Sequence, residues 1–167
     1  MATDPRNVQR VPPDPPLYPD NAEFWAGTAA GKLLVRHCAS CHKPHWYPRP
    51  QCPLCMSDQT VWKESAGTGS IYTFSVCRRV GPQPFVIAYV RLDDGVTMLT
   101  NIVDCDFDAI RIGDRVRVVM QASESGVIVP MFTPVQALRP AQAFADGPGQ
   151  PLVERESWHL VECMGQR

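Results

Sequence analysis

The stretch CASCHKPHWYPRPQCPLC, residues 38–55, holds four of the seven cysteines in the chain. They form two Cys-x-x-Cys pairs, Cys38 with Cys41 and Cys52 with Cys55, with ten residues between the pairs. Each pair can aim two thiolates at one point, and two pairs make the tetrahedral four-sulfur site that zinc takes in structural ribbons. The spacing therefore predicts a metal-held module whose ion supplies folding free energy that so few residues cannot obtain from burial.

Other uses of these four cysteines fit the sequence less well. A single Cys-x-x-Cys can be a thioredoxin-like redox pair, but two pairs without a βαβ context argue against that function. A catalytic zinc needs an open coordination position, which four thiolates do not leave. Iron in a rubredoxin-like site stays open, because the same ligands suit both metals. Three nearby histidines are expected at the surface or behind the ligands: His37, His42 and His45.

The composition is that of a globular protein. The 167 residues are 44% hydrophobic and 20% charged, with a net charge of −1, which gives no strong attraction to nucleic acid or to an anionic membrane. No apolar run approaches the ~20 residues that span a bilayer, and the N-terminus lacks the apolar core of a secretory signal. We therefore expect no membrane association and a cytoplasmic location, where thiols stay reduced and disulfides are disfavoured.

Composition and pattern divide the chain into four parts. Residues 1–19 are a proline-rich arm, expected to be disordered until something binds it, and residues 20–66 carry a short helix and the cysteine pairs. Residues 67–135 are β-rich, and residues 136–167 form a C-terminal arm rich in Ala, Pro and Gly. The fold class predicted is mainly β, with extended arms at both ends.

The β-rich part contains five runs separated by turn signals. In the first run Tyr72, Phe74 and Val76 alternate with small or polar residues, which predicts a strand with one buried face. A helical turn is expected only over residues 104–113, between the third and fourth runs. This order is typical of a five-stranded OB-fold barrel, although the pattern alone leaves an SH3-like barrel or an open sandwich open.

The short helix predicted after Asp20 or Asn21 carries two large apolar side chains, Phe24 and Trp25. Because a helix this short is not stable alone, these groups must be buried, either against their own domain or against a partner. Gly31 is the predicted stop signal of this helix. Both Phe24 and Trp25 are therefore candidates for a partner interface.

No motif for catalysis is present in the sequence. GxSxG, HExxH and P-loop patterns are absent, and GTGSIY, residues 67–72, lacks the third glycine and the helix of a dinucleotide fingerprint. Cys77, Cys105 and Cys163 lie outside the paired set, and nothing in the sequence places a base beside any of them. The expectation is a chain without catalytic residues of its own.

The order of these features resembles a known family. Besides the paired cysteines, it shares PRP-x-CP at residues 48–53, the two glycines Gly67 and Gly69, TN-x-V-D at residues 100–104 and IGD-x-V at residues 112–116. The family consists of small proteins with a rubredoxin-like zinc ribbon followed by an OB fold, associated with acyl-CoA metabolism. The resemblance extends from about Pro19 to Val135 and leaves both arms outside it.

This resemblance implies a non-catalytic partner of a thiolase-fold enzyme. Members of the family bind thiolases, acyltransferases or aldolases of that fold, in complexes that cleave or transfer acyl groups carried as coenzyme A thioesters. The small subunit helps to shape the acyl-CoA channel, and its zinc is structural. The expected partners are thus a thiolase-fold subunit and acyl-CoA, in a hetero-oligomer.

Two arginines at the end of the first β-rich run, Arg78 and Arg79, are weak candidates for contacts with the phosphates of coenzyme A, because guanidinium groups pair well with phosphate. Two solvated arginines are the simpler interpretation. A free-standing hydrolase with an unrecognised Ser/His/Asp set is a further alternative, and it predicts acyl-CoA turnover by the isolated chain.

A single-stranded nucleic-acid-binding protein is the alternative function, because many zinc-ribbon and OB-fold proteins bind nucleic acid. That function needs a basic groove with stacking aromatic rings. The barrel's few aromatic residues are expected mostly to fill the core: Tyr72, Phe74, Phe85 and Tyr89. Five aspartates in the loops would repel phosphate: Asp93, Asp94, Asp104, Asp106 and Asp108. We therefore expect no nucleic-acid partner.

Overall fold

The structure is a computed structural model and describes residues 11–79 and 83–135. A 3₁₀ turn, Pro19–Asn21, leads into helix α1, Ala22–Ala29. Asn21 is the N-cap residue, but its side-chain oxygen accepts a hydrogen bond from the Tyr18 N–H instead of capping the helix. Gly31, with a φ of 77°, follows the helix as predicted. No helix in the described part of the chain is long and apolar enough to cross a membrane.

The cysteine module folds as a three-stranded antiparallel sheet. Strand β1 lies in the centre, with β2 on one side and β3 on the other. Arg36 in β1 therefore pairs with His45 in β2 and Trp62 in β3. The strand bounds are β1 Leu34–Cys38, β2 Pro44–His45 and β3 Thr60–Glu64.

The remaining strands form a closed five-stranded barrel in the order β4-β5-β6-β8-β7. Its last strand lies between the third and the fourth, and it meets β6 in parallel where Ile102 pairs with Phe132. The predicted OB-type barrel is confirmed, and closure rules out an open sandwich. The strand bounds are β4 Thr68–Cys77, β5 Phe85–Leu92, β6 Thr97–Ile102, β7 Arg115–Ala122 and β8 Ile128–Pro134.

The segment between β6 and β7 contains a single helical turn, closed by a hydrogen bond of 3.0 Å from the Ile110 N–H to the Asp106 carbonyl oxygen. In this segment, aspartate side chains accept hydrogen bonds from other backbone N–H groups. Asp106 Oδ1 accepts from the Asp108 N–H, and Asp114 Oδ2 accepts from the Arg111 N–H. Because these side chains compete for the backbone N–H groups, the helical segment is limited to one turn.

The aromatic residues of the barrel are less buried than predicted, and a bulge in β4 explains part of the difference. Ile71 pairs with Val90 and Thr73 pairs with Tyr89, so Tyr72 is the extra residue between them. Ile71 is buried, whereas Tyr72 is 55% exposed and Tyr89 is 45% exposed. The prediction that most of these rings fill the core was wrong for both tyrosines. In β4 one inserted residue reverses the alternation and turns Tyr72 outward. In β5 the alternation is regular, and Tyr89 lies on the outer face because its neighbours Ala88 and Val90 face the core.

One hydrophobic cluster joins the ribbon to the barrel. Phe24, Leu33 and Val35 are each at most 3% exposed and belong to the same cluster as barrel residues such as Ile71 and Phe132. The ribbon thus does not depend on the metal site alone, because it shares the core of the barrel. Phe24 itself is 3% exposed, and a contact between its side chain and a partner stays a prediction.

An aromatic cluster surrounds Phe24. Its ring centroid lies 4.9 Å from that of Trp25, 5.3 Å from that of Trp46 and 6.2 Å from that of Trp62. Trp25 comes from the helix, Trp46 follows β2 and Trp62 lies in β3. The cluster therefore ties the helix to two strands of the ribbon, and Trp25, which is half-buried, stays an interface candidate.

The described part of the N-terminal arm, residues 11–18, lies against the barrel, and we call it the strap. Pro12 is fully buried, and Asp14 Oδ1 accepts hydrogen bonds from the backbone N–H and the hydroxyl of Ser125, at 3.1 and 2.6 Å. Hydrogen bonds from Ser123 and Ser125 lower the pKa of Asp14. The expectation of an arm that is disordered until bound was wrong for these residues. Residues 1–10 and the C-terminal arm, with Cys163, lie outside the described residues.

The glycine at position 69 allows β4 and β5 to approach closely. A Cβ atom at this position would lie 2.5 Å from the Arg91 carbonyl oxygen and 3.0 Å from the Leu92 Cα. Because both are backbone atoms, Gly69→Ala should force the strands apart and lower the free energy of unfolding by about 1–3 kcal/mol in urea titrations. Ser75→Ala, at an exposed position of the same strand, should change it by less than about 0.5 kcal/mol. Equal stability of both variants would contradict this packing.

Candidate metal centre

The first cysteine pair lies where β1 ends. The His42 N–H donates to the Cys38 carbonyl oxygen at 3.0 Å, and the Cys41 N–H donates to Cys38 Sγ at 3.4 Å. His42 adopts a φ of 59°, which reverses the chain after the second cysteine. These bonds fold the pair into a tight turn with both thiol groups on its inner side.

The second pair repeats the same construction. The Met56 N–H donates to the Cys52 carbonyl oxygen at 2.9 Å, and the Leu54 N–H donates to Cys52 Sγ at 3.4 Å. Met56, with a φ of 62°, stands four residues after Cys52, as His42 stands four residues after Cys38. A left-handed residue at this place is unusual without glycine, and the sequence gives no sign of it.

The two turns bring all four sulfur atoms together. These atoms lie within 4.8 Å of one another, with 3.6 Å between Cys38 and Cys55 and 3.7 Å between Cys41 and Cys52. In a tetrahedron with metal–sulfur bonds of about 2.3 Å, neighbouring sulfurs are about 3.8 Å apart. The four cysteines therefore fit a tetrahedral metal ion. Among residues 11–79 and 83–135 they are the one group with such spacing.

Backbone donors favour a thiolate at the start of the site. The N–H of Cys41, aimed at Cys38 Sγ, lowers the pKa of the Cys38 thiol to about 6. A lower pKa means that less work is needed to deprotonate the sulfur before it binds a metal ion. Cys38 and Cys52 are buried and Cys55 is exposed, so one edge of the site faces solvent.

Contacts between the turns hold the two pairs in place. The hydroxyl groups of Ser40 and Ser57 lie 2.8 Å apart, and the Ala39 N–H donates to the Gln59 carbonyl oxygen at 2.7 Å. Behind the site, the Arg36 guanidinium lies 4.2 Å from the centre of the Trp62 ring, and its Nη1 donates to the Thr60 carbonyl oxygen. The sheet therefore supports the turns independently of the metal ion.

The three histidines do not join the sulfur cluster. His42 is exposed, and His37 is half-buried. His45 is 4% exposed, and neither of its ring nitrogens has a hydrogen-bond partner among the described residues. Burial lowers the pKa of both His37 and His45, so these rings are neutral members of the sheet.

The two arginines at the end of β4 lie apart from the sulfur cluster. Arg78 forms an ion pair with Asp108, with 2.7 Å between Nη2 and Oδ1, and its guanidinium lies 5.9 Å from the centre of the Phe107 ring. Arg79 is exposed. The pairing of Arg78 with Asp108 was not predictable from the sequence, because thirty residues separate the two. The positive charge of Arg78 is therefore already paired with a carboxylate.

Cys105, one of the two described cysteines outside the cluster, shows no sign of nucleophilic activation. Burial raises the pKa of the Cys105 thiol to about 11, and its Sγ lies 3.8 Å from the Ile102 carbonyl oxygen. A nucleophilic cysteine needs a lowered pKa or an adjacent base. Cys105 is thus a neutral thiol, and Cys77 is half-buried at the end of β4.

Comparison with known proteins agrees with this geometry. Residues 25–61 match the family described as the ChsH2 rubredoxin-like zinc ribbon domain, and residues 62–121 match the ChsH2 C-terminal OB-fold domain. The chain is 34% identical over 106 residues to a DUF35 domain-containing scaffold protein of Methanothermobacter thermautotrophicus, which covers 58% of this chain and 80% of the relative. The chain belongs to the DUF35 family.

Other relatives of this DUF35 chain include subunits of larger assemblies. A solved structure titled Ltp2-ChsH2(DUF35) aldolase matches with a TM-score of 0.66 and 31% identity, over 72% of this chain and 98% of that chain. A probable enoyl-CoA hydratase alpha subunit of Thermomonospora curvata is 31% identical over 126 residues, which are 73% of this chain. This chain spans only 40% of that relative's length.

Substituting one buried cysteine tests the sulfur site. Cys52 is 0% exposed, and Cys52→Ser replaces a soft ligand by a hard one in a site built for thiolates. We expect the variant to lose most of its bound metal and to melt at a lower temperature, as measured by elemental analysis and by calorimetry. Cys77→Ser, outside the cluster, is the matched control and should retain its metal. If Cys52→Ser keeps full metal content and an unchanged Tm, these sulfurs hold no ion.

Proposed function

We propose that this chain is a non-catalytic subunit of a complex in which a thiolase-fold enzyme acts on acyl-CoA, by carbon–carbon cleavage or by acyl transfer. The match to the DUF35 chain of the aldolase structure carries the proposal, because it covers 98% of that chain. Because nearly all of that chain is matched, this chain is suited to the same place in an assembly. The relatives described as scaffold proteins support the same conclusion.

The chemistry of the described residues also supports a non-catalytic subunit. The four clustered sulfurs would be saturated by one metal ion, leaving no coordination position for substrate. Cys105 is a neutral thiol, as its raised pKa indicates. The rate of the reaction would then depend on groups of the partner enzyme.

We propose zinc as the ion that Cys38, Cys41, Cys52 and Cys55 hold, with a structural role. The zinc-ribbon description of the matched family supports zinc over iron, although the sulfur geometry suits both. Iron bound by four thiolates absorbs visible light, and zinc does not. Elemental analysis of protein purified without chelator, together with its visible spectrum, distinguishes the two metals. We propose a cytoplasmic location, where a reducing environment keeps such thiolates free to bind metal.

Contacts of coenzyme A with Arg78 and Arg79 stay proposals. The surroundings of the two side chains favour Arg79 over Arg78. Arg78 would have to exchange Asp108 for a phosphate, whereas Arg79 is exposed. Since an exposed ion pair contributes little to stability, this exchange costs little. Arg79 is the better candidate, because none of the described residues competes for its charge.

One observation supports the nucleic-acid alternative, and another opposes it. Exposed Tyr72, with the Arg91 guanidinium 4.7 Å from its ring centre, resembles a stacking platform. However, OB folds bind nucleic acid on the face of their second and third strands, which are β5 and β6 here. That face is partly covered, because Ile87 and Leu99 line a cavity that the strap and α1 also enclose. We therefore keep the proposal that nucleic acid is not a partner.

Native mass spectrometry of the tagged chain, purified from its own cells without chelator, tests the subunit proposal. We expect zinc and a second, larger subunit of the thiolase fold in a fixed ratio. Cys52→Ser should lose both the ion and the partner, whereas Cys77→Ser should keep both. A chain that always emerges alone, with its zinc in place, would contradict the proposal.

A further inference from the structure

Exposure to solvent differs among the four sulfurs of the metal centre. Cys38 is 2% exposed and Cys52 is 0% exposed. Both of these sulfurs also accept a backbone N–H, from Cys41 and from Leu54 respectively. Cys41 is half-buried, and Cys55 is exposed. A thiolate bound to a metal ion is fully deprotonated, so access to the reagent, rather than the pKa of the free thiol, selects Cys55 as the sulfur that is oxidised first.

Two short sulfur–sulfur distances join different turns. Cys55 Sγ lies 3.6 Å from Cys38 Sγ, and Cys41 Sγ lies 3.7 Å from Cys52 Sγ. An oxidised Cys55 would therefore be attacked by Cys38, which belongs to the first turn, and not by its neighbour within the second turn. The same arrangement pairs Cys41 with Cys52.

Contacts that involve no sulfur keep the two turns together. The hydroxyl groups of Ser40 and Ser57 lie 2.8 Å apart, and the Ala39 N–H donates to the Gln59 carbonyl oxygen at 2.7 Å. Because these contacts hold opposite turns close to each other, disulfides between the turns can form without unfolding of the ribbon. Such disulfides would tie the same two turns that a metal ion ties.

We infer that the metal centre is a redox switch, in which a hydroperoxide replaces the ion by two disulfides, Cys38–Cys55 and Cys41–Cys52. The inference rests on the proposed metal site and is independent of the proposed partner. The ribbon then has two folded states, one held by the ion under reducing conditions and one held by disulfides after oxidation. A dithiol reductant together with added zinc returns the second state to the first.

The reaction with hydrogen peroxide balances in atoms and electrons. The Cys55 thiolate attacks one peroxide oxygen, the O–O bond breaks and hydroxide leaves, which gives a sulfenic acid at Cys55. The Cys38 thiolate attacks that sulfur, the S–S bond forms and a second hydroxide leaves. Two electrons pass from the sulfurs to the peroxide, and two protons from solvent convert the hydroxide ions to water. A second peroxide molecule oxidises Cys41 and Cys52 in the same way.

Stepwise oxidation of the zinc-loaded full-length chain with hydrogen peroxide tests the inference. A zinc-binding dye follows the released ion, and peptide mapping by mass spectrometry assigns the disulfides. Since the first disulfide removes two of the four ligands, we expect release of the ion with about one equivalent of peroxide and both disulfides with about two. Dithiothreitol and zinc should restore the metal content and the Tm. Disulfides within the turns, Cys38–Cys41 and Cys52–Cys55, or retention of the ion in excess peroxide would overturn the inference.

Dimedone, which forms a stable adduct with sulfenic acids, tests the order of attack. When it is present with less than one equivalent of peroxide, we expect its adduct at Cys55, because that sulfur is the exposed one. An adduct at Cys38 or Cys52 in place of Cys55 would contradict the assignment of the first oxidised sulfur.

Hydrogen exchange tests whether the disulfides replace the ion as the tie between the turns. Backbone amides in β1 and β3 should exchange more slowly in the oxidised chain than in reduced chain from which a chelator has removed the ion. Equal exchange in the two samples would show that the oxidised ribbon is not held, and would overturn the second folded state.

Cys77→Ser is the matched control, because Cys77 is half-buried and lies outside the cluster. This variant should release zinc and form the same disulfides as the unsubstituted chain. Loss of zinc release in Cys77→Ser would make Cys77 the attacking thiol and overturn the inference. A chain purified without any ion would contradict the proposed metal site and this inference with it, whereas a zinc-loaded chain that resists oxidation would overturn the inference alone.

Discussion

The convergence of four thiol groups on one point is the constraint that joins the two turns of the ribbon, and it acts together with the core that the ribbon shares with the barrel. The two cysteine turns begin at the end of β1 and precede β3, so their meeting sets the register of the ribbon sheet. That register places Trp46 and Trp62 around Phe24, and Phe24 in turn joins the helix to the core of the barrel. A change at the sulfurs is therefore expected to alter the shape of the cavity between the helix, the strap and the barrel, because Trp46 forms part of its wall.

Because of this arrangement, each part of the molecule contributes a different wall to the cavity. The barrel offers a rigid floor, the ribbon and the helix supply aromatic walls, and the strap adds a wall held by side-chain hydrogen bonds. None of these parts needs an activated nucleophile. Such a design is suited to holding and shaping a site beside an enzyme, which is the function proposed for this DUF35 chain.

Local chemistry made much of the fold predictable from the sequence. The cysteine spacing indicated the ribbon, and the turn signals and β-rich runs indicated the barrel, because both depend on residues close together in the chain. The exposure of Tyr72 was not predictable, since a bulge shifts the alternation by one residue and leaves no composition signal. The position of the strap was missed for another reason: Asp14 meets Ser125 across 111 residues of sequence, and proline-rich segments carry no periodicity. The cavity arises from these long-range contacts, so the sequence alone could not show it.

Acyl-CoA turnover measured for the chain alone, for the partner enzyme alone and for their complex tests the central proposal most directly. A non-catalytic subunit predicts no turnover by the chain, and a higher rate for the complex than for the enzyme alone. Turnover by the isolated chain at the rate of the complex would contradict it and would assign the chemistry to this chain.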